Sequence, residues 1–175
     1  MTDAEYDAVV YDLDGTLVEL QVDWAQVARD VITVYADAGI DAHGEGLWEL
    51  MGNADEHGIG TAVEETISRH ERRGAERSRR LPLADEVLTQ RAHVGVCSLN
   101  CKAACRIALE AHGLADGVDA VVGRDTVATH KPDPKPLLAT LRMLDVAPSN
   151  AIFIGDSPRD EETARRAGVA FRYVA

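Results

Sequence analysis

The chain has 175 residues, 46% of them hydrophobic, enough to bury one core with room for a small appended subdomain. Thirty acidic side chains against eighteen basic ones leave a net charge of −12. That balance argues against nucleic acid or an anionic membrane as the main partner, since both need basic stripes.

No stretch approaches a membrane span or a signal peptide, and the start, Met1-Thr2-Asp3-Ala4-Glu5, is polar and acidic, so a cytoplasmic protein is expected. Lys102, Lys131 and Lys135 are the only lysines beside seventeen aspartates, a bias that points to an acidic surface adapted to salt.

In chain order, the first strand is expected over residues 7–12 and runs into Asp12-Leu13-Asp14-Gly15-Thr16. Side chains alternate along a strand, so two acids one residue apart would diverge if it continued. Gly15 lets the chain turn directly after the second acid, making a small cup of oxygens and backbone N–H groups that suits a hard cation and a phosphate. From Leu17 to Leu81 the pattern is helical. Asp23 opens a stretch with Trp24, Val27, Val31, Val34 and Tyr35 that stops at Gly39; a second lies near Gly46 to Met51 and a third near Asp55 to Arg73.

Further strands are expected at 93–98, 118–122, 151–155 and 169–173 with helices between them, the alternation of a parallel sheet covered on both faces. Asn100 is expected to cap a helix that Gly113 closes. Asp133 precedes Pro134 at a first helical position, Ser157 precedes Pro158 likewise with Asp160 three residues on, and Gly168 ends the last helix. Cys97, Cys101 and Cys105 fit neither a disulfide framework nor a common zinc spacing and read as small buried hydrophobes.

Three later segments also carry an apolar run or turn into a polar residue of the type phosphate chemistry needs: Val94-Gly95-Val96-Cys97-Ser98, Lys131-Pro132-Asp133-Pro134, and Ile152-Phe153-Ile154-Gly155-Asp156-Ser157-Pro158-Arg159-Asp160. Any one alone is as readily a surface turn. The four in this order resemble the motifs of the haloacid dehalogenase superfamily, and more narrowly its phosphoglycolate-phosphatase-like branch, over about two-thirds of the chain.

The resemblance implies an α/β fold: a three-layer Rossmann-like core with sheet order 5-4-1-2-3, formed by residues 1–17 and 82–175, and a small helical cap at 18–81. It implies a phosphatase for a small phosphomonoester, acting through an aspartyl-phosphate. Asp12 would be the nucleophile, and Asp14 the general acid and then base. Ser98 and Lys131 would hold the phosphoryl group. Mg²⁺ would sit on the Asp12 and Asp156 carboxylates and the Asp14 backbone carbonyl, with Asp160 behind them orienting water or Lys131 and Ser157 serving chiefly as a helix cap.

Alternatives in the same frame are a phosphomutase or a non-catalytic phosphate-binding protein. Phosphoglycolate, a sugar phosphate, a nucleotide or histidinol phosphate would all be compatible substrates, and a monomer or homodimer is expected. Leu99 stands where the family usually has Asn, with Asn100 next to it as the possible substitute. The chain also stops after the fifth strand, where many relatives continue, so that sheet edge is expected to be bare or covered by a partner. In the cap region His43, His57 and His70 are within reach of the site, whereas His93, His112 and His130 read as structural, His130 beside Lys131. Arg69, Arg72, Arg73, Arg77, Arg79 and Arg80 read as a solvated face interleaved with Glu71 and Glu76, or as a clamp for a substrate anion.

Overall fold

The structure, a computed structural model, describes residues 6–42 and 44–175. In chain order its elements are β1 (Ala8–Tyr11), β2 (Val18–Glu19), α1 (Trp24–Asp37), α2 (Leu47–Asn53), α3 (Gly60–Glu76), β3 (Arg79–Arg80), α4 (Ala84–Val87), β4 (His93–Cys97), α5 (Lys102–Ala111), β5 (Ala120–Val122), α6 (Lys135–Leu144), β6 (Ala151–Gly155), α7 (Pro158–Ala167) and β7 (Ala170–Tyr173).

Every residue of β1, Ala-Val-Val-Tyr, is buried, which is the pattern of a central parallel strand covered on both faces. It pairs in parallel with β4 (Val9 opposite Val94) and with β6 (Val9 opposite Ile152). β5 extends the sheet beyond β4 and β7 beyond β6, so the order is β5-β4-β1-β6-β7. A separate antiparallel pair, β2 with β3, accounts for the shift in numbering: counted along the five-stranded sheet alone, the order reads 5-4-1-2-3.

Alternate residues of the strands feed two apolar layers. Val9, Tyr11, Val94 and Val96 meet Ala104, Cys105, Ala108 and Leu109 of α5 on one face. Ala8, Val10 and Phe153 meet Leu137 and Leu141 of α6 and Ala164 of α7 on the other. Each buried Leu, Val or Phe contributes about 1.5–3 kcal/mol relative to exposure. The three cysteines are free and buried in these layers, and burial pushes the Cys97 thiol up to about 12, so it packs as a hydrophobe.

Helices α1, α2 and α3 enclose a third cluster of their own, Val27, Val31, Tyr35, Leu50, Val63 and Ile67, with the Tyr35 hydroxyl donating to the Leu50 carbonyl at 2.6 Å. The chain leaves and returns to the sheet through β2 and β3, where Val18 faces Arg80 and Glu19 faces Arg79. Ser157 caps as expected, forming a reciprocal box with Asp160 at the start of α7, and Asp23, which opens the first helical stretch, caps α1 by accepting from the Gln26 N–H on Oδ1. Asn100 does not cap α5. Cys101 holds that position, and the free N–H groups go to carboxylates distant in sequence, Cys101 N to Glu71 and Lys102 N to Asp125. Among the described residues no helix is long and apolar enough to cross a membrane.

Candidate active site

All five sheet strands are parallel, so their carboxyl ends open on one side, the usual place for a ligand in such a sheet. β1 ends into Asp12, β4 into Ser98 and β6 into Asp156, while Lys131 comes in on the segment between β5 and α6. The turn after β1 is tight: the N–H groups of Thr16, Leu17 and Val18 all donate to the Leu13 carbonyl. Gly15 sits there at φ +84°, and a Cβ on it would lie 2.2 Å from Asp156 Oδ2. Glycine is therefore required twice over, for the backbone and for the approach of Asp156. Gly155 makes room for Asp160 by the second of these routes alone, since a Cβ there would lie 2.6 Å from Asp160 Oδ2.

Lys131 is the hub of the charges. Its ammonium donates to Asp12 Oδ1 at 2.8 Å and to Asp160 Oδ1 at 2.5 Å, with its side chain 2% exposed. Asp160 uses its other oxygen to accept from the Ser157 N–H and hydroxyl. Burial alone would lower the Lys131 pKa, but Asp12 and Asp160 outweigh that and raise it. Asp12 is raised to about 7, first by burial and then by repulsion from Asp160 and Asp156, against the pull of Lys131. Asp14, whose Oδ1 accepts from the Leu20 N–H at 2.8 Å, is raised chiefly by burial, and so is Asp156. Carboxylate oxygens of Asp12, Asp156 and Asp160 come within 4.8 Å of one another, an all-oxygen donor set suited to a hard cation.

Above these groups lies a cavity of about 420 Å³ lined by Asp12, Asp14, Asn100, Lys131, Asp156 and Asp160 below and by Trp24, Leu47, Trp48, Leu99 and Arg159 around them. A larger hollow, about 950 Å³, opens at the opposite end of the sheet beside Tyr6, His93 and Asn150, away from the acids gathered around Lys131.

A family model described as haloacid dehalogenase-like hydrolase matches residues 9–174. The chain belongs to that family. A phosphoglycolate phosphatase from Rhodospirillum rubrum is 34% identical over 184 aligned residues, covering 93% of this chain and 76% of the relative. An N-acetylmuramic acid 6-phosphate phosphatase from Pseudomonas putida is 26% identical, covering 95% and 82%. Among solved structures, a haloacid dehalogenase-like hydrolase from Bacteroides fragilis has a TM-score of 0.72 at 25% identity, covering 95% of this chain and 86% of that one. CbbY from Rhodobacter sphaeroides, solved with phosphate, shares the fold at a TM-score of 0.67 and 21% identity, covering 96% and 85%. The protein is a phosphoric monoester hydrolase of the phosphoglycolate phosphatase-like branch of the haloacid dehalogenase-like hydrolases.

Within this haloacid dehalogenase-like site, Asp12, Asp14, Lys131, Asp156, Ser157 and Asp160 all lie on the cavity. Ser98 is buried just behind it. Its hydroxyl donates to Asn100 Oδ1 at 3.1 Å and accepts from the Asn100 N–H at 3.0 Å. The Asn100 side chain also donates to Glu71, and it lines the cavity next to Leu99, the residue that stands where the family usually has Asn.

The histidines of the helical insert serve elsewhere: His70 pairs with Asp30 at 2.7 Å and the His57 ring packs edge-on against Tyr35. His43 lies outside the described residues. Nor do the clustered arginines face the cavity, since Arg72 pairs with Glu65, Arg79 with Glu19 and Arg80 with Asp85. Glu71, grouped with that solvated face by sequence, is instead fully buried against Arg124. Local sequence pattern does not single out Arg124, Trp48 or Arg159. Trp48 lies in the helical stretch near Gly46 to Met51 and Arg159 inside the Ile152 to Asp160 motif, neither with a signal of its own, and Arg124 follows an apolar strand after Gly123.

Proposed function

We propose that the enzyme hydrolyses a small phosphomonoester through an aspartyl-phosphate on Asp12, with Asp14 as general acid and base. The supporting observation is the Lys131 hub. One ammonium fixes the Asp12 carboxylate at 2.8 Å, holding the attacking group and offering positive charge where a phosphoryl group would arrive. Asp12 attacks phosphorus in line and the P–O bond to the leaving alcohol breaks. Asp14, whose raised pKa favours a held proton, gives that proton to the leaving oxygen and takes one back from the water that cleaves the acyl-phosphate. Ser98 is proposed to hold a phosphoryl oxygen after a small turn of its hydroxyl away from Asn100.

The donor set suits Mg²⁺, which when bound would supply positive charge between the carboxylate and the phosphate oxygens. Asp12, Asp156 and the Asp14 carbonyl are its proposed ligands, because both Asp160 oxygens are already engaged by Lys131 and Ser157. We assign residues 18–81 as the cap that covers the site and residues 1–17 with 82–175 as the core. The relatives' names range from a two-carbon acid phosphate to an amino-sugar phosphate, which supports the substrate class and leaves its member to the cap.

The test is phosphate release from an aryl phosphate, with and without Mg²⁺, by the wild type and Asp12→Asn. Mg²⁺-dependent release that vanishes in the variant is expected, together with acid-stable radiolabel on the wild-type protein after rapid quenching of a labelled ester. Release that persists in Asp12→Asn would overturn the assignment.

A further inference from the structure

The chain holds only two tryptophans, and both are spent on the rim of one cavity. Trp24 opens α1 and Trp48 lies in the first turn of α2, so the cap helices present both indoles from their starts, over Asp12 and Lys131. They are 37% and 40% exposed, although Tyr35, on the same α1 as Trp24, is almost completely buried. Leaving two large apolar surfaces open side by side is costly in water unless something covers them. Leu47 and Leu99 continue the same wall.

The geometry says how a ligand would sit. The indole centroids are 6.3 Å apart and the planes are tilted by 42°. A ring sandwiched between them would need about 7 Å between parallel planes, two van der Waals layers. The tryptophans already touch each other, so a ligand lies across them and not between them. The Arg159 guanidinium stands 5.8 Å from the Trp48 ring centre, lines the same cavity, and makes no ion pair among the described residues. It offers planar donors at the edge of that platform. A cavity of about 420 Å³ falls in the range that accepts ligands of many heavy atoms, more than a two-carbon acid fills.

From this we infer that the preferred substrate is a phosphomonoester whose leaving group carries a flat-faced ring, laid across Trp24 and Trp48 with its polar edge toward Arg159. The inference rests on the phosphatase reading of the cavity floor. It sets this chain's preference apart from the two-carbon ester for which many of its relatives are named.

The experiment measures kcat and KM for phosphoglycolate and glycerol 3-phosphate as acyclic esters, and for glucose 6-phosphate, phenyl phosphate and a nucleoside 5′-monophosphate as ring esters. The enzymes are the wild type, Trp24→Leu, Trp48→Leu and the double variant, with melting temperatures recorded for each. At least one ring ester is expected to exceed both acyclic esters about tenfold in kcat/KM, and the double variant to lose about that factor through KM on ring esters alone. Sugar and aromatic arms separate the two kinds of ring. Ring ligands added to the wild type should also shift its tryptophan fluorescence, since both emitters lie on the platform.

Preference for an acyclic ester, or a loss in the variants that is equal across all esters and tracks a lower melting temperature, would overturn the inference and leave the phosphatase intact. Failure to release phosphate from every ester with Mg²⁺ present would remove the phosphatase reading, and this inference with it.

Discussion

Arg124→Met is the perturbation that most directly tests how the helical insert is fixed to the sheet. Arg124 follows β5 and is 3% exposed at its side chain, yet its partners are on α3 and on the segment after β4. Its guanidinium donates to both Glu71 oxygens at 2.6 and 3.0 Å, to both Glu64 oxygens at 2.7 and 3.1 Å, and to the Leu99 carbonyl at 2.8 Å. Burial alone would lower its pKa, and the two carboxylates more than reverse that.

Glu64 is 37% exposed, so solvent takes over much of its share and its loss costs at most about 1 kcal/mol. Glu71 is fully inaccessible and would be left with only the Asn100 amide and Cys101 N–H as donors. Stranding a buried charge in this way costs about 3–5 kcal/mol, a large part of the stability of a domain this size. Urea unfolding followed by circular dichroism should show that loss at an unchanged slope, and molar salt should not rescue it, because the pair is shielded from solvent ions. Arg124→Met combined with Glu71→Leu should recover most of it. A single-variant cost below about 1 kcal/mol, or a double variant no better than the single, would refute the assignment of the anchoring energy to these charges.

In metal-free protein the Asp12 carboxyl is raised from 3.8 to about 7, so the folded state holds more protons than the unfolded one across that window and stability should fall as pH rises through it. Asp12→Asn should abolish that slope, and an identical slope in the variant would count against burial of the carboxylate as its source. Glu64 has the opposite sign: burial opposes ionisation, but the Arg124 hydrogen bond prevails and the pKa falls below the ordinary 4.5. Its stabilisation is present above that value and is lost as acid carries the protein through the lowered pKa, a loss Glu64→Gln should lack in acid titrations of the melting temperature. Gly15→Ala forces a Cβ at φ +84° against Asp156 Oδ2, so a loss of about 1–2 kcal/mol in stability and about 100-fold in kcat/KM is expected; an active, stable variant would show that the turn can shift freely. If the acidic surface is adapted to salt, the melting temperature should climb steadily with KCl into the molar range, and a flat profile would remove that reading.

The sheet and the placement of the candidate-site acids were readable because both are local signals. A run such as Val9-Val10-Tyr11 has few homes other than a covered strand, and the polar residue that follows such a strand in a parallel sheet must lie at the open end. Asp23 and Ser157 were readable as caps because a cap and its partner are three residues apart. Asn100 failed as a cap for the converse reason. The N–H groups at the start of α5 found better acceptors in Glu71 and Asp125, 30 and 23 residues away, and no local pattern announces such a partner. The same holds for Glu71, which sits between Arg69 and Arg72 in a sequence that looks solvated yet points inward toward an arginine 53 residues later. The tryptophan rim was hidden because Trp24 fits a helical apolar period and reads as core, whereas it lies one turn beyond the buried Val27 and opens onto the cavity.

The departure at Leu99 links these observations. At a position where the family usually has Asn, Leu99 adds an apolar wall to the cavity beside Trp24 and Trp48, and its backbone carbonyl accepts from Arg124. The next residue, Asn100, spends its amide between Ser98 and Glu71. One stretch of three residues therefore joins the end of β4 to the buried anchor of α3 through hydrogen bonds of 2.6–3.2 Å. A small insert of three helices can keep two tryptophans over Asp12 only if its own attachment is stiff, and the Arg124 network supplies that stiffness at the segment where the motif departs from its usual form. Under the proposed ring preference, Leu99 would add apolar grip on the leaving group in place of the polar contact an Asn would offer the phosphate. Loosening the anchor should then raise KM for the preferred ester before it lowers kcat.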